Sequence, residues 1–306
     1  MRIVVTGGGG FVGRHLASML IAHGHAVTGI DHAAAALPSG ARLVVGDLGD
    51  SAVRAEALGQ GCDALVHLAT VPGGAAEADP AASRRINVDA MYDLLLEASA
   101  MSPGLRVLYA SSVAVFGDSF PPQVDDATPL SPKMIYGGHK AMMEHAIAMF
   151  SNRNMIDGVT VRLPGILARP RSPSGLKSAF MSNLFHALKA GEPFTCPVSA
   201  IGTVWAESLE RVCANFVHAL TLDTSRLPAT RAVTLPALRV TMRALAEEIA
   251  RQCQVPASLV DYVPDADLEA AFARQPPLIT AAAEAAGFAD DGDITKLVAS
   301  ALRTLE

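Results

Sequence analysis

Near its N-terminus the chain reads Ile3-Val4-Val5-Thr6-Gly7-Gly8-Gly9-Gly10-Phe11-Val12-Gly13. The apolar run predicts a buried strand, the glycines predict a tight turn, and an amphipathic helix begins at Phe11 and Val12. This order suits a dinucleotide pyrophosphate, because glycines let the backbone approach phosphates and a helix N-terminus offers free N–H groups. The glycines fit two spacings, Gly8-x-Gly10-x-x-Gly13 and Gly7-x-x-Gly10-x-x-Gly13, and the turn by itself does not decide between them.

Length and composition suit a compact soluble enzyme. The chain has 306 residues, of which 50% are hydrophobic, enough for one large unit or two modest domains. Its net charge of -6 gives no support for nucleic-acid binding, and no apolar stretch approaches the roughly 20 residues of a membrane span. The four cysteines and nine histidines show no metal-ligand or redox spacing. We therefore expect no metal, no membrane association, and reduced thiols in a cytoplasmic protein.

Strand-like and helix-like segments alternate through the first half of the chain. The predicted strands after the first are Ala26–Ile30, Leu43–Val45, Ala64–Leu68, Val107–Ala110 and Val159–Leu163. Helical periodicity covers Arg85–Ala100 and Lys133–Phe150. This alternation predicts a doubly wound parallel sheet of the Rossmann type. We expect residues 1–165 to form the nucleotide-binding domain. Residues 166–306 would form mainly a smaller, mixed substrate-binding region, with segments returning to the first domain.

Two acidic residues follow predicted strands and are candidates for binding the adenosine half of the cofactor. Asp31 stands eighteen residues after Gly13, where a carboxylate can accept hydrogen bonds from ribose hydroxyls and repel a 2′-phosphate. It therefore favours NAD over NADP, although an ordinary turn or helix-capping aspartate is the alternative. Asp47 can reach the adenine amine, with Leu48 packing on the ring, but Gly46-Asp47 is also ordinary turn chemistry.

The segment Tyr136-Gly137-Gly138-His139-Lys140 carries the predicted chemistry. Residues four apart share a helix face, so the Tyr136 phenol and the Lys140 ammonium would line one wall of a site. A nearby positive charge favours the phenolate, which could take a proton from a substrate hydroxyl while hydride leaves the same carbon. Ser112 follows a predicted strand and could bind the reacting oxygen, or merely cap the next turn. Tyr136 and Lys140 also decide between the two glycine spacings, in favour of Gly7, Gly10 and Gly13.

Together these segments resemble the extended short-chain dehydrogenase/reductase family, the NAD-dependent epimerases and dehydratases. The shared motifs are Thr6–Gly13, Asp31, Gly46–Leu48, His67–Ala69, Asn87-Val88, Ser111–Gly117, Tyr136-x-x-x-Lys140 and Arg162–Pro164. The resemblance implies further cofactor contacts: Phe11 and Val12 beside the pyrophosphate, Leu68 and Ala69 along the cofactor, Asn87 near it, and Pro164 at the nicotinamide. Core packing is the alternative for each of these residues.

Later stretches resemble the D-erythronate dehydrogenase branch of that family, namely Val161–Pro170, Glu192–Val198 and Leu235–Thr241. This branch implies NAD-dependent oxidation of a hydroxyl beside a carboxylate. Two departures argue against nucleotide-sugar chemistry: Ile201–Glu207 lacks the arginine that grips a diphosphate, and no acidic pair follows Ser112. Arg169 and Arg171 are candidates for the substrate carboxylate, with Lys177 and Ser178 weaker ones. Solvated loop arginines are the alternative.

The leading hypothesis is an NAD-dependent dehydrogenase acting on a small hydroxy or sugar acid. A nucleotide-sugar epimerase is the first alternative, and net formation of NADH would separate the two because epimerases regenerate their cofactor. A non-catalytic NAD-binding regulator is the second alternative, and the Tyr136–Lys140 pair argues against it. The family resemblance also implies a homodimer built from the helices at 85–100 and 133–150, which are more apolar than one buried stripe requires.

Overall fold

The computed structural model describes residues 1–171 and 177–305. Its strands are β1 (Arg2–Thr6), β2 (Ala26–Asp31), β3 (Arg42–Val45), β4 (Ala64–His67), β5 (Leu105–Ser112), β6 (Ile156–Leu163), β7 (Gly165–Ile166), β8 (Phe194–Cys196), β9 (Thr203–Glu207), β10 (Ala232–Thr234), β11 (Leu238–Thr241) and β12 (Val260–Tyr262). Its α-helices are α1 (Phe11–Ala22), α2 (Ser51–Leu58), α3 (Gly73–Ala78), α4 (Pro80–Arg84), α5 (Met91–Met101), α6 (Ile135–Asn152), α7 (Phe180–Ala190), α8 (Leu209–Ala219), α9 (Met242–Cys253), α10 (Ala266–Phe272), α11 (Ala281–Ala285) and α12 (Ile294–Arg303).

The main sheet has seven strands in the order β10-β6-β5-β4-β1-β2-β3, and every neighbouring pair is parallel. The strand order reverses direction between β1 and β4, which is the switch point where such sheets bind ligands beyond their carboxyl ends. The predicted Rossmann fold class is thus confirmed.

Helices cover both faces of this sheet, which explains why its central strands are apolar on both sides. On one face α1 and α8 pack against β1 and β4, with Leu16, Leu20 and Phe216 fully buried. On the other face α2, α5 and α6 enclose a second core around Met91, Leu95 and Ile147. Burial on two sides accounts for runs such as Ala64–His67, in which all four residues are buried.

The C-terminal part has its own core and also contributes to the first half of the molecule. A three-stranded sheet (β11-β9-β7) and a pair (β12-β8) pack with α7, α9 and α12 around buried side chains such as Leu184, Leu245 and Leu297. In contrast, β10 pairs with β6 at the edge of the main sheet, and α8 packs on α1. The chain therefore crosses between the two parts more than once, and the division at residue 165 stays a prediction.

The helix predicted at 85–100 differs from the observed structure. Two short helices, α3 and α4, precede it, and its first turn, Arg85–Ala90, is a π-helix before α5 begins at Met91. A π-helical turn displaces one residue from the regular ladder and often occurs at functional sites. Here the displaced turn carries the buried side chain of Asn87. Among the described residues, no helix combines the length and apolarity that a bilayer crossing requires.

Candidate active site

A deep cleft opens at the carboxyl ends of the main-sheet strands and extends to the C-terminal part of the chain. Its volume is ≈ 1750 Å³. It is lined by nearly every residue that the sequence singled out: Gly7, Gly10, Phe11, Val12, Gly13, Asp31, Asp47, Leu48, Leu68, Ala69, Ser112, Tyr136, Lys140, Pro164, Arg169, Arg171 and Ser178. Asn87 does not line the cleft, and the side chain of the weaker candidate Lys177 lies outside the part of the chain that the structure describes. The fold therefore brings residues from distant parts of the sequence to one surface.

The glycine turn forms a cradle that admits no side chains. Gly7 has φ +69°, in the left-handed region, and a Cβ atom there would lie 2.9 Å from the backbone nitrogen of Ala69. A Cβ at Gly13 would collide with the carbonyl oxygen of Gly7. Gly10 is the N-cap of α1 and makes no side-chain capping hydrogen bond, so no capping side chain lies between the first turn of the helix and the cleft. A Cβ at Gly8 would also lie 2.8 Å from Gly29 Cα, so the close packing is shared by the glycines of both spacings. Such a cradle fits the pyrophosphate of a dinucleotide.

Asp31 connects the end of β2 to the glycine turn. Its Oδ2 atom accepts a hydrogen bond from the backbone N–H of Gly9 at 2.9 Å, and its side chain is 11% exposed. The carboxylate also pairs with the exposed His32 ring at 2.9 Å. Asp47 accepts a hydrogen bond from the N–H of Gly49 at 2.8 Å and so closes its own turn while lining the cleft. Asp31 thus stands at the wall where an adenosine ribose would lie beyond the glycine cradle.

Asn87 lies behind the cleft wall and is buried, with 3% exposure. Its Oδ1 atom accepts hydrogen bonds from Val71 N–H at 2.7 Å and from the Thr70 hydroxyl at 3.2 Å. Its Nδ2 atom donates to the Val71 carbonyl at 3.0 Å and to the Ser83 hydroxyl. Since Thr70 and Val71 line the cleft, Asn87 acts on the site by holding this loop.

Ser112, Tyr136 and Lys140 meet at the cleft because β5 ends beside the first turn of α6. Ser112 is the last residue of β5, and its Oγ atom accepts a hydrogen bond from Ala114 N–H at 3.1 Å. Tyr136 and Lys140 share a face of α6, and Lys140 Nζ lies 5.6 Å from the centroid of the Tyr136 ring. The same Nζ atom donates to the carbonyl oxygen of Ala110 at 2.7 Å. These contacts hold the Lys140 amine beside Ala110, which lies two residues before Ser112 on β5.

The surroundings of Tyr136 act on its acidity in opposite directions. Burial raises the pKa of the Tyr136 phenol, whereas the Arg169 guanidinium and a hydrogen bond with Ser112 lower that pKa. Burial also lowers the pKa of Lys140 to about 7. Tyr136 as a base would therefore depend on neighbouring positive charge, which Arg169 and a charged Lys140 can supply.

Arg169 and Arg171 have different surroundings. Arg169 is half-buried, its Cζ atom lies 5.9 Å from the Phe11 ring centroid, and its charge acts on Tyr136. The preceding Ala168 is buried with φ +54°, a left-handed conformation that costs a non-glycine residue about 1–2 kcal/mol. Arg171 is exposed and its Nη2 atom lies 4.0 Å from a carboxylate oxygen of Glu192.

Two side chains of α7 hold the backbone of Arg169 in place. Ser182 Oγ accepts a hydrogen bond from Arg169 N–H at 3.1 Å, and His186 Nε2 lies 2.8 Å from the Arg169 carbonyl. Ser178, in the turn Lys177–Ala179 before this helix, lines the cleft on the same side. The candidates for the substrate carboxylate, Arg169 and Arg171 on one side and Ser178 on the other, are separated by residues 172–176, which lie outside the described residues.

Comparison with known proteins agrees with this geometry. Residues 3–207 match the model of the NAD dependent epimerase/dehydratase family. The chain belongs to this family. It is 36% identical to the D-erythronate dehydrogenase of Cupriavidus necator over an alignment of 264 residues, and this alignment covers 82% of each chain. It is 32% identical over 256 residues to the D-erythronate dehydrogenase of Haemophilus influenzae, covering 81% of each chain.

A solved structure shares the whole fold. The crystal structure of a nucleoside-diphosphate-sugar epimerase from Agrobacterium tumefaciens superimposes with a TM-score of 0.88 at 26% identity, covering 97% of this chain and 92% of that one. The predicted family and the predicted enzyme class, a nicotinamide-dependent oxidoreductase, are thus confirmed. The glycine cradle, the open helix N-terminus and Asp31 fit a dinucleotide cofactor in this family member. Within residues 1–171 and 177–305, no cluster of histidine, cysteine or carboxylate side chains could hold a metal ion.

The sequence analysis missed a buried ion pair behind the site of this family member. Glu144 on α6 and Arg162 on β6 are 4% and 8% exposed, and Arg162 Nη2 lies 2.7 Å from Glu144 Oε2. Two signals pointed to it. Glu144 continues the four-residue spacing of Tyr136 and Lys140, and Arg162 is the one charged residue of the predicted strand Val159–Leu163. Neither signal identifies the partner, because the two residues lie on different elements.

Proposed function

We propose that this protein is an NAD-dependent dehydrogenase that oxidises the C2 hydroxyl of a small sugar acid, such as D-erythronate, to a 2-oxo acid. The observation that supports it most strongly is the meeting of Ser112, Tyr136 and Lys140 in a cleft that also contains the half-buried Arg169. Similarity to two D-erythronate dehydrogenases over about four fifths of the chain supports the substrate class.

The cofactor would lie along the cleft from Asp31, past the glycine cradle, to Tyr136 and Pro164. When bound, the nicotinamide supplies the acceptor for the hydride that leaves C2. Gly7, Gly10 and Gly13 provide the close backbone approach that the pyrophosphate needs. The Asp31 carboxylate supports NAD rather than NADP, because it repels a 2′-phosphate.

Tyr136 is the proposed general base and takes the proton of the C2 hydroxyl. Ser112 would donate a hydrogen bond to the same oxygen and keep it beside the phenol. Lys140 would bind the nicotinamide ribose, and its ammonium would stabilise the Tyr136 phenolate. These roles need all three side chains at the same end of the cleft, as their positions allow.

Arg169 is the proposed partner of the substrate carboxylate. A guanidinium matches a carboxylate with two parallel hydrogen bonds, and partial burial strengthens such a pair. Burial removes water from the Arg169 guanidinium and so lowers its pKa. Hydrogen bonds to a bound carboxylate would compensate for the lost hydration. Arg171 is exposed and faces Glu192, so we assign it a smaller role.

The test is a panel of four- to six-carbon aldonic and uronic acids with NAD, followed by NADH absorbance. We expect oxidation of a small acid and no net NADH from UDP-sugars. Charge-assisted pairing contributes about 1.5–3 kcal/mol, so Arg169→Ala should raise KM for the acid about tenfold or more. Arg171→Ala is the matched control. Preference for UDP-sugars without NADH accumulation would overturn the proposal in favour of an epimerase.

A further inference from the structure

One amide side chain of the cleft has its oxygen bonded and its nitrogen without an acceptor among the described residues. Gln275 follows α10 and lines the cleft. Its Oε1 atom accepts a hydrogen bond from the backbone N–H of Trp205 in β9. Because an N–H group can pair only with the oxygen of the amide, this bond decides which end of the side chain faces β9. The Nε2 atom is not among the enclosed polar atoms that lack a partner, so its two N–H donors are available to a molecule bound in the cleft.

The backbone of Gln275 is anchored to the same small sheet. Its N–H donates to the carbonyl oxygen of Thr203 at 3.1 Å, and its own carbonyl oxygen accepts from the Thr203 hydroxyl at 2.7 Å. The same carbonyl accepts from Arg239 Nε at 2.8 Å. Thr203 belongs to β9 and Arg239 to β11. The residue is therefore held on both sides of its side chain, and the direction of the Nε2 donors is set before a ligand binds.

Trp205 places this amide at the nicotinamide end of the cleft. The Trp205 side chain packs in the same apolar cluster as Val113, which directly follows Ser112. The Trp205 carbonyl oxygen lies close to Gly165, because a Cβ atom added to Gly165 would be 3.0 Å from it. Gly165 follows the proline expected at the nicotinamide. The residue that orients Gln275 thus lies between the turn after Ser112 and the strand that begins at Gly165.

Arg169 and Gln275 have different neighbours around the expected substrate position. Arg169 lies beside Phe11 on α1, whereas Gln275 bonds Trp205, whose ring meets Phe120 edge-on with centroids 5.4 Å apart. In a 2-hydroxy acid, the carboxylate and C3 are attached to opposite ends of the reacting C2. An acid whose carboxylate binds Arg169 therefore directs its remaining carbons away from Arg169, towards the wall that contains Trp205 and Gln275.

We propose that Gln275 is a specificity-determining residue whose Nε2 atom donates a hydrogen bond to the C4 hydroxyl of the bound four-carbon acid. The assignment to C4 rests on the proposed sugar-acid reaction and on the role given there to Arg169. A hydroxyl oxygen accepts the bond, whereas a methyl group in its place leaves the amide donors without a partner in a cleft that the substrate has desolvated. Gln275 thus selects a polyhydroxy acid over an acid with an apolar end.

The test compares two substrates on each form of the protein: D-erythronate and its 4-deoxy analogue, the 2,3-dihydroxybutanoate of the same configuration. The measured quantity is the ratio of their kcat/KM values with NAD, in which the fraction of folded protein cancels. The unmodified protein should prefer D-erythronate about tenfold or more, the usual effect of leaving a desolvated donor unpaired. Gln275→Met has a side chain of similar length without donors, so its ratio should fall close to one.

Gln252→Met is the matched control. Gln252 Nε2 donates to Glu248 and to the Thr295 carbonyl, and the residue is not among the described residues that line the cleft. This variant should keep the ratio of the unmodified protein. Where Gln275→Met does not fold because the Trp205 N–H has lost its acceptor, the complex of the unmodified protein with NADH and D-erythronate serves instead, since these two molecules cannot react with each other. Its crystal structure should show the C4 oxygen about 2.7–3.2 Å from Nε2.

An unchanged ratio in Gln275→Met, a C4 oxygen bonded to another residue, or a ratio near one in the unmodified protein would overturn the role of Gln275. Each of these results would leave the oxidation of the acid itself intact. Failure of the proposed function has a different signature, because the unmodified protein would then form NADH from neither acid. That result would remove the proposed reaction and the role of Gln275 with it.

Discussion

Asn87 and Val71 are joined by a pair of hydrogen bonds: the Asn87 amide oxygen accepts from the Val71 N–H at 2.7 Å, and the amide nitrogen donates to the Val71 carbonyl at 3.0 Å. The Asn87 amide thus binds both backbone groups of Val71, as an adjacent β-strand would. It stands in a π-helical turn on the far side of the cleft wall. The wall at Thr70 and Val71 consequently depends on a residue that does not itself line the cleft.

Asn87→Ala should loosen this wall. Losing the bonds to Val71 leaves buried backbone groups unpaired, which costs about 1–3 kcal/mol of the free energy of unfolding. We also expect weaker NADH binding, measured by fluorescence titration beside urea unfolding. Asn87→Asp keeps the acceptor and loses the donors, so its effect should be intermediate. Unchanged NADH affinity in both variants would contradict this account.

Gly13→Ala should damage the cofactor cradle. The added Cβ would collide with the Gly7 carbonyl oxygen and lie 2.9 Å from Gly8 Cα, so backbone must move at a cost of about 1–3 kcal/mol. NADH affinity should fall with stability. Gly138→Ala is the control, because nothing lies within 4 Å of its added Cβ. That helical substitution should raise stability by about 0.5–1 kcal/mol. Equal thermal midpoints for the two variants would refute the steric argument.

Asp31→Asn should narrow the preference for NAD over NADP. The amide can keep a contact with Gly9 N–H, but it no longer repels a 2′-phosphate. The measurement is the ratio of kcat/KM with the two cofactors. Asp47→Asn is the matched control, because the Asp47 carboxylate closes its own turn on Gly49. A native preference for NADP would exclude the role given to Asp31.

Tyr136→Phe should lower turnover about 100-fold or more, the usual effect of a lost general base. The aromatic ring remains, so NADH should still bind. Steady-state rates and an NADH titration on the same preparation separate the two effects. Near-normal turnover in this variant would rule out the Tyr136 mechanism.

The protein should form a homodimer through α5 and α6. These helices expose apolar side chains that the described chain does not cover, with Leu96 42% and Met142 53% exposed. Met142→Glu should shift sedimentation at micromolar concentration from dimer to monomer with unchanged circular dichroism. Ile201→Glu is the control. Ile201 lies just before β9 and is 78% exposed, and this substitution should leave the dimer intact. A native protein that sediments as a monomer would contradict the prediction.

The local patterns predicted the main sheet well because most of its strands contain an apolar run that stands out from the polar or glycine-containing segments around it. The predicted strands at Ala26–Ile30 and Val159–Leu163 fall within the observed strands. Helices α3 and α4 were not predicted, since Gly73–Arg84 is rich in glycine and alanine and has no apolar stripe. The cleft residues on loops and strand ends could be named from motif chemistry alone.

Long-range polar partners could not be found in the same way. The Glu144–Arg162 pair depends on how α6 lies against β6, and the difference between Arg169 and Arg171 depends on burial. Neither the packing of α6 on β6 nor the burial of an arginine can be recognised from the residues next to it in the sequence. Asn87 illustrates the limit: the family resemblance predicted that it lies near the cofactor, but only the fold shows that its partners are Thr70, Val71 and Ser83.

The return of β10 to the edge of the main sheet has a consequence for how the chain folds. A fragment ending at residue 165 would leave the β6 edge unpaired and remove α8 from the face of α1. Open edges of apolar strands recruit other chains, so such a fragment would aggregate rather than bind nucleotide alone. Residues 1–165 and the residues that follow them should therefore unfold in a single cooperative transition. A recombination that replaced the residues after 165 with those of another protein would also have to supply a new edge strand to pair with β6 in place of β10.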